Sequence, residues 1–246
     1  MKKEIIVEKK LGISPDYQYK AIRSKNFLQA NWHNNKLIII DEILKLTKPN
    51  NILDLGTGSG NFELNYAKKL KAITGLDYND QALRFLKTKL KQKRIKNVKL
   101  INADLREISK IKIKEKFDLI ISIDVIEHLK ITDAKKLVAG LHKFLKPNGF
   151  VCIITPNYKS PWLLIENILD KFTIFPHFDG EQHLAKFCKE NLQNIFMIQR
   201  FEPILFSSFN LFSFLFFNKK LSAILCRLEM MLKLPFGNLI VGLFQN

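Results

Sequence analysis

The chain has 246 residues, 47% of them hydrophobic, and a net charge of +17 from 40 basic and 23 acidic side chains. A chain of this length and composition buries a sizeable core, which excludes collagen-like, disordered and disulfide-stapled miniprotein classes. The charge favours acidic partners such as nucleic acid, anionic lipid or phosphorylated substrates, or it reflects only a Lys-rich genome composition. Residues 1–150 carry most of this excess.

Along the chain, short apolar runs alternate with amphipathic stretches. Residues 1–34 are polar and mixed and are interpreted as an N-terminal helical cap segment. A helix of about 12 residues is predicted from Leu37, and Lys48-Pro49-Asn50 ends it. Strands are then predicted at 51–55, 72–76, 98–101, 117–123, 150–155 and 238–244, with helices at 61–70, 80–93 and 132–144. This alternation predicts a parallel sheet covered by helices on both faces.

The composition changes after Pro156. Residues 160–246 hold fourteen of the twenty Phe, and residues 203–218 carry no charge. We interpret about 158–235 as an aromatic insertion that forms a lid or a membrane-facing element before the last strand. For residues 205–217 three interpretations stay open: core or lid packing, an interfacial helix, and a spanning helix. The last is least favoured because the uncharged run is shorter than the roughly 20 residues that a span needs.

A glycine-rich turn, D-L-G-T-G-S-G-N at residues 54–61, follows the first strand and opens a helix. Glycines there let a nucleotide-like ligand approach the backbone. The chain has no GxxxxGK followed by Ser or Thr, which excludes a P-loop, and the third glycine of a GxGxxG fingerprint falls on Asn61. Asp77 follows Gly58 by nineteen residues and ends the second strand. A carboxylate at that spacing is placed to accept both hydroxyls of a ribose.

The turn, Asp77 and two later strings resemble the class I S-adenosylmethionine-dependent methyltransferases. The strings are D-V-I-E-H-L at 124–129 and L-K-P-N-G at 145–149, and they are similar to the small-molecule branch that includes the ubiquinone-pathway O-methyltransferases. The resemblance covers about residues 35–157. It implies a methyltransferase domain over 35–246 with an α/β, doubly wound, Rossmann-like sheet. The implied order of the seven strands is 3-2-1-4-5-7-6, with the last strand antiparallel.

The resemblance also implies how the cofactor, S-adenosylmethionine, is held. Asp54 contacts the methionyl ammonium, Asp77 the ribose hydroxyls and Asp104 the adenine amino group, while Ile123 packs against the cofactor. The predicted cofactor-binding residues are Asp54, Gly56, Thr57, Gly58, Gly60, Asp77, Tyr78, Asp104, Leu105 and Ile123.

On the acceptor side, His128 is the candidate catalytic base, since a histidine titrates near operating pH and this one follows the strand that faces the acceptor. The alternative is that His128 only braces the pocket. Asp124, Glu127 and His128 have a spacing compatible with a divalent ion, but two neighbouring ligands rarely converge alone, so no metal is predicted. His177 and His183 are candidate acceptor contacts.

The predicted acceptor is a small molecule, lipophilic or lipid-linked. An RNA methyltransferase is the first alternative, prompted by the charge and by eight basic side chains between Arg84 and Lys99. This basic stretch is interpreted first as a solvated helix and otherwise as a contact with anionic lipid or nucleic acid. The second alternative is a non-catalytic cofactor-binding module at a membrane. Base methylation is disfavoured because residues 124–126 lack an Asn/Asp-Pro-Pro-aromatic string.

Three scattered cysteines without a CxxC pair predict reduced thiols, and the N-terminus lacks the apolar run of a signal peptide. Both features predict a cytoplasmic protein, with peripheral association at the inner face of an anionic membrane as a further expectation. No oligomeric state is predicted.

Overall fold

The computed structural model describes residues 14–161 and 183–246. Its strands are β1 Asn51–Leu55, β2 Ala72–Asp77, β3 Val98–Asn102, β4 Phe117–Ile123, β5 Leu145–Pro156, β6 Glu202–Phe209 and β7 Leu239–Gln245. Its α-helices are α1 Tyr17–Ala21, α2 Phe27–Thr47, α3 Asn61–Tyr66, α4 Asp80–Gln92, α5 Ile131–Leu141, α6 Lys189–Ile198 and α7 Lys219–Met231. Short 3-10 turns lie at Ala67–Lys69, Leu105–Lys110, Ile126–His128 and Ser213–Leu215.

The strands form one sheet of order β3-β2-β1-β4-β5-β7-β6, which confirms the predicted topology. β1 pairs in parallel with β2 on one side and with β4 on the other, whereas β7 runs antiparallel to both β5 and β6. The strand order therefore reverses between β1 and β4. In an open α/β sheet, ligands bind beyond the carboxyl ends of the strands at such a reversal.

Two apolar layers cover the sheet, because successive strand residues point to opposite faces. Ile52 of β1 packs in the layer that includes α2, α3 and α7, and its neighbour Leu53 packs in the layer that includes α5 and α6. The three cysteines are free, as expected, with Cys152 and Cys226 buried in the first of these layers.

Helix α2 starts ten residues earlier than the sequence predicts. Asn26 caps it by accepting hydrogen bonds from the backbone N–H groups of Leu28 and Gln29. Its first half has no simple apolar stripe because Asn31 and Asn35 are buried there at 1% exposure. The apolar pattern became visible only from Leu37 onward, and the predicted helix was therefore too short.

Residues 205–217 form strand and a 3-10 turn and no α-helix, so the interfacial helix and the spanning helix are both wrong as secondary structure. The first half belongs to β6, whose Phe209 is fully buried opposite Leu239 of β7. The second half contains the 3-10 turn Ser213–Leu215, in which Phe214 is fully buried. Core packing is thus the correct interpretation for much of this stretch. The division into 1–34, 35–246 and an insertion at about 158–235 stays a prediction.

Among the described residues, none of the helices combines the length and apolarity required for crossing a bilayer.

Candidate active site

The glycine turn and Asp77 are in direct contact at the carboxyl edge of the sheet. The N–H of Gly58 donates to Oδ2 of Asp77 at 2.7 Å, and the N–H groups of Gly56 and Thr57 donate to the carbonyl of Leu76. Gly56, Gly58 and Gly60 all have positive φ, between 53° and 82°. Residues other than glycine adopt such φ angles only at an energetic cost. Glycine therefore allows the chain to turn tightly here and leaves the backbone accessible to a ligand.

A pair of buried carboxyl groups lies beneath this turn. Asp54 and Glu63 both accept from the hydroxyl of Thr57, at 3.1 and 3.0 Å, and all three residues are at most 4% exposed. Burial raises the pKa of Asp54 to about 6 and raises that of Glu63 well above its usual value. Gly75 makes room for the pair, since a Cβ there would lie 2.3 Å from the Thr57 hydroxyl. Burial therefore disfavours the doubly ionised form of the pair in the folded protein.

Replacing Glu63 with Gln should remove a pH dependence of stability. The folded pKa of Glu63 lies above its unfolded value, so its contribution to stability is complete below the unfolded pKa, near 4.5, and is lost as pH rises through the folded pKa. Urea unfolding of both proteins from pH 4 to 8 should show a difference in free energy that grows by up to about 1.4 kcal/mol per pH unit in favour of Glu63→Gln. Parallel curves would contradict the raised pKa of Glu63.

The other predicted donor contacts lie beyond β2, β3 and β4. Asp104 caps the 3-10 turn after β3 and forms an ion pair with Arg106, Oδ2 to Nη2 at 2.6 Å. Burial raises the pKa of Asp104, but its bonds to Arg106 outweigh that effect and lower the pKa overall. Tyr78 is 36% exposed, Leu105 is buried in the core, and Ile123 is half-buried. Any contact between Asp104 and an adenine amino group must therefore be shared with Arg106.

The predicted acceptor side begins at the end of β4. Asp124 has a φ of 55°, which is unusual for a residue other than glycine, and its Oδ2 binds the ammonium of Lys36 on α2. Burial raises the pKa of Asp124, but the charge of Lys36 outweighs it and lowers the pKa overall. His33, one turn before Lys36, has its pKa lowered to about 3 by burial and by the Lys36 charge. Helix α2 thus supplies polar groups to a site formed by the strand ends.

Glu127, His128 and His183 come together next to this ion pair. One ligand atom from each lies within 4.8 Å of the other two. The rings of His128 and His183 have centroids 5.1 Å apart. Burial raises the pKa of Glu127 to about 7 and lowers that of His183 to about 4. His128 and His183, both predicted as acceptor-side residues, are therefore neighbours, whereas His177 lies outside the described residues.

Sequence reasoning missed three residues of this site. Lys36 lay in a part of α2 that was not predicted as helix. Glu63 occupies the first turn of the helix that follows the glycine turn, and this position in the sequence could have identified it as a residue of the site. Thr155 donates to Oε2 of Glu127 at 2.9 Å. Its position at the end of β5, the strand next to β4, could also have identified it from the sequence.

A family model described as "Methyltransferase domain" matches residues 34–205, more than half of the chain. The chain belongs to this methyltransferase family. S-adenosylmethionine is the cofactor that the family, the glycine turn and Asp77 together indicate.

Relatives of this methyltransferase act on different kinds of acceptor. A 23S rRNA (uracil(1939)-C(5))-methyltransferase of Aliivibrio fischeri is 32% identical over 85 residues, 34% of this chain and 19% of that enzyme. A ubiquinone biosynthesis O-methyltransferase of Pelagibacter ubique is 26% identical over 146 residues, 58% of each chain. The methyltransferase thus spans about a fifth of the first and just over half of the second.

A solved structure shares the fold over nearly the whole length. Magnesium protoporphyrin IX methyltransferase from Synechocystis, with bound SAH, superimposes with a TM-score of 0.66 at 13% identity and 98% coverage of each chain. The residues of this methyltransferase fit such a ligand. Around the turn, Asp77 supplies acceptor oxygens. The missing Cβ of Gly58 lets Gln18 pack against the turn, since a Cβ there would lie 2.5 Å from Oε1 of Gln18.

Proposed function

We propose that this methyltransferase transfers a methyl group from S-adenosylmethionine to a small, lipophilic or lipid-linked acceptor, and that it does so while attached to the inner face of an anionic membrane. The observation that carries the proposal is a large apolar surface beside the helix that caps the acceptor side. The apolar surface consists of exposed side chains from the 3-10 turn to just beyond α7: Phe212, Leu215, Phe216, Phe217, Leu221, Ile224, Leu228, Met231, Leu232 and Phe236.

Helix α7 turns its apolar face outward. Leu221, Ile224, Leu228 and Met231 recur every three or four residues and are 41% to 70% exposed. Its inward face is partly polar and includes the buried Ser222 and Glu229. Such a pattern is the reverse of that of a helix packed on a water-facing protein surface. An apolar patch of this kind marks an interaction site.

The charge around the apolar surface supports an anionic bilayer as its partner. Lys219, Lys220 and Lys233 are exposed at its borders. The segment 203–246 contains one acidic residue, Glu229, and that residue is buried. Cations around an apolar stripe fit a lipid surface, where each is worth about 1 kcal/mol and is screened by salt.

The apolar surface is connected to the acceptor side through α2. The side-chain amide of Asn31 donates to the carbonyls of Phe214, at 3.2 Å, and Phe216, at 2.7 Å. The ring of Phe217 packs edge-on against Phe27 at 5.5 Å. Further along the same helix, Lys36 reaches Asp124. An acceptor leaving the bilayer would therefore meet the helix that borders the active site.

In this reaction the chain's own residues chiefly hold and align the reactants. When bound, S-adenosylmethionine supplies a methyl group on a sulfonium that is already activated for displacement. The glycine turn and Asp77 hold the adenosyl part. The loop 124–128 orients the acceptor, and His128 is the candidate base that takes its proton. Alignment of this kind contributes about 7–11 kcal/mol to lowering a barrier.

The first test of the proposal identifies the class of molecule that accepts the methyl group. The full chain is incubated with labelled donor and with separate membrane-lipid, RNA and small-metabolite fractions. We expect the label in the lipid fraction or in a lipophilic metabolite. Label confined to RNA would contradict the proposal, and so would donor binding without transfer to any fraction.

Attachment to the membrane is tested by Ile224→Glu. A charge at the centre of the apolar surface should weaken binding to vesicles of phosphatidylglycerol and phosphatidylcholine by on the order of tenfold. Ile198→Glu is the matched control, since Ile198 is as exposed but lies on α6, on the other face of the sheet. Equal vesicle binding by both variants would contradict the lipid assignment, and self-association lost only in Ile224→Glu would assign the surface to a dimer.

RNA is the second candidate acceptor. Its support is the rRNA methyltransferase relative and the outer face of α4, where Lys87 and Lys91 are exposed. Ion pairs neutralise part of this stretch, through Asp80 to Arg84 and Glu115 to Lys99. Tight RNA binding with a steep dependence on salt, together with labelled RNA, would favour this candidate over the lipophilic acceptor.

A further inference from the structure

We infer that a polar cavity beside the apolar surface binds the phosphoethanolamine headgroup of a bilayer lipid. The cavity has a volume of about 310 Å³ and lies between α2, the end of α3 with the turn that follows it, and the start of α7. Pockets for small ligands begin at about 300 Å³, so this one has the size for a headgroup and not for an acyl chain. The side chains that give the polar cavity its chemistry are Asn31, Asn34, Asp41, Tyr66, Lys69 and Lys219.

Two amide oxygens in the wall of the polar cavity are available as hydrogen-bond acceptors. The amide nitrogen of Asn34 donates to the carbonyls of Ile22 and Ala30, and that of Asn31 donates to two carbonyls at the 3-10 turn before α7. Because all four partners are carbonyl oxygens, the nitrogen and the oxygen of each amide are assigned without ambiguity. Neither amide oxygen accepts a hydrogen bond from the described part of the chain. A ligand that donates hydrogen bonds would satisfy both.

The carboxylate of Asp41 gives the cavity wall a negative charge. Asp41 is half-buried and forms no ion pair with a basic side chain within residues 14–161 and 183–246. Burial raises the pKa of the neighbouring Tyr66, and the charge of Asp41 raises it further. The Tyr66 hydroxyl donates its one hydrogen to the carbonyl of Leu37 at 2.8 Å. One carboxylate and two amide oxygens match the three N–H donors of a primary ammonium group.

Two lysines lie at the mouth of the polar cavity. Lys69 and Lys219 are both exposed, and neither is paired with an acidic side chain among the residues described. The ammonium of Lys69 lies 5.7 Å from the ring centroid of Tyr66, in the same wall as Asp41. Lysine ammonium groups commonly bind phosphate as point charges. The cavity thus offers cations at its mouth and acceptors within, which is the arrangement that a phosphate joined to a primary ammonium requires.

The position of the polar cavity indicates a lipid as the source of this group. Lys219 lies two residues from Phe217 and two from Leu221, both part of the apolar surface. A headgroup in the cavity would leave its acyl chains in the bilayer that contacts the apolar surface, and this source of the ligand rests on the proposed membrane attachment. Lys36, whose ammonium binds Asp124, does not line the cavity. The lipid therefore serves as an anchor and not as the acceptor of the methyl group.

The headgroup assignment is tested with soluble probes. The full chain is titrated by calorimetry with glycerophosphoethanolamine and with glycerophosphocholine. We expect the first to bind at least about tenfold more tightly, because the trimethylammonium of choline has no N–H to donate. Inorganic phosphate and ethanolamine, titrated separately, should each bind more weakly than the joined group. Equal binding of the two glycerophosphodiesters, no saturable binding, or phosphate binding as tight as that of glycerophosphoethanolamine would overturn the assignment.

Two variants with matched controls locate the site. Asp41→Asn keeps the shape of the side chain but should weaken glycerophosphoethanolamine binding at least about tenfold, since a charge-assisted hydrogen bond is lost. Asp133→Asn is its control, because Asp133 is also half-buried but lies on α5, on the other face of the sheet. Lys69→Met should weaken binding of the phosphate, whereas Lys68→Met, at an exposed neighbour outside the cavity wall, should not. Wild-type affinity in both Asp41→Asn and Lys69→Met would overturn the site.

Vesicles separate this inference from the proposed function. Phosphatidylethanolamine added to vesicles of phosphatidylglycerol and phosphatidylcholine should strengthen binding of the wild type but not of Asp41→Asn. Ile224→Glu should keep its affinity for glycerophosphoethanolamine while losing that for vesicles. Binding of the soluble probe without attachment to any vesicle would contradict the membrane attachment and leave the site in place. Vesicle binding that is lost in Ile224→Glu but indifferent to phosphatidylethanolamine would overturn the site and leave the attachment in place.

Discussion

Asp77→Ala should weaken S-adenosylmethionine binding more than tenfold, a loss of over about 1.4 kcal/mol. Asp77 is 7% exposed, and its two oxygens accept from the N–H groups of Gly58 and Asn79, each at 2.7 Å. Its removal takes away the carboxylate proposed to hold the ribose and the acceptor that fixes the glycine turn. Both losses act on the donor, so we expect a large change in the dissociation constant measured by calorimetry.

Asp80→Ala is the matched control for this measurement. Asp80 lies three residues away, at the start of α4, and its carboxylate forms an exposed ion pair with Arg84. Such pairs contribute little, about 0–1 kcal/mol, so donor affinity should stay unchanged. Asp77→Asn retains one oxygen for the backbone and separates the structural role from the loss of charge. Wild-type affinity in Asp77→Ala would remove the basis for placing the donor here.

Glu229→Ala should destabilise the protein by on the order of 3 kcal/mol, because buried hydrogen bonds to a charged group are among the strongest in proteins. The Glu229 carboxylate accepts from the N–H groups of Leu211, Phe212 and Ser213 and from the Ser213 hydroxyl, at 2.8 to 3.1 Å. These bonds fix the turn that positions Phe214 in the core and Phe217 on the apolar surface. Chemical denaturation gives the free energy of unfolding.

The control is Glu202→Ala, which removes an exposed carboxylate at the start of β6. We expect a change within about 0.5 kcal/mol there. A loss below about 1 kcal/mol in Glu229→Ala would show that solvent replaces these bonds. The variant should also bind anionic vesicles more weakly than Glu202→Ala, since the apolar surface depends on the turn that Glu229 holds.

Strands β1 to β5 and β7 and the glycine turn could be predicted because their signals are local, whereas β6 was not predicted. A buried strand is a short apolar run, as in β4, and a turn with positive φ requires glycine within a few positions. The spacing from Gly58 to Asp77 then follows from the length of one helix and one strand. The predicted contact between turn and carboxylate depended on no distant part of the chain.

Other parts of the site depended on partners far away in sequence. Asn35 is buried because its amide binds Asn210, 175 residues later, at 2.7 Å. Polar residues satisfied in this way look like surface residues in the sequence, and for this reason the first half of α2 was not predicted. The inward position of Glu229 and the outward apolar face of α7 likewise could not be predicted, because they depend on partners elsewhere in the chain.

By itself, the sequence determined the strands β1 to β5, the tight turn at 56–60 and the acid at the end of β2, since each arises from contacts within one β-α unit. It did not determine β6, α6 or α7, which lie in the stretch interpreted as an insertion. Only the tertiary structure decided that His183 joins Glu127 and His128, and that Lys36 faces Asp124. These groups come from separate elements, and buried charges and imidazoles gain partners only when folding brings those elements together. The periodicity of apolar residues within one segment carries no information about contacts between separate elements.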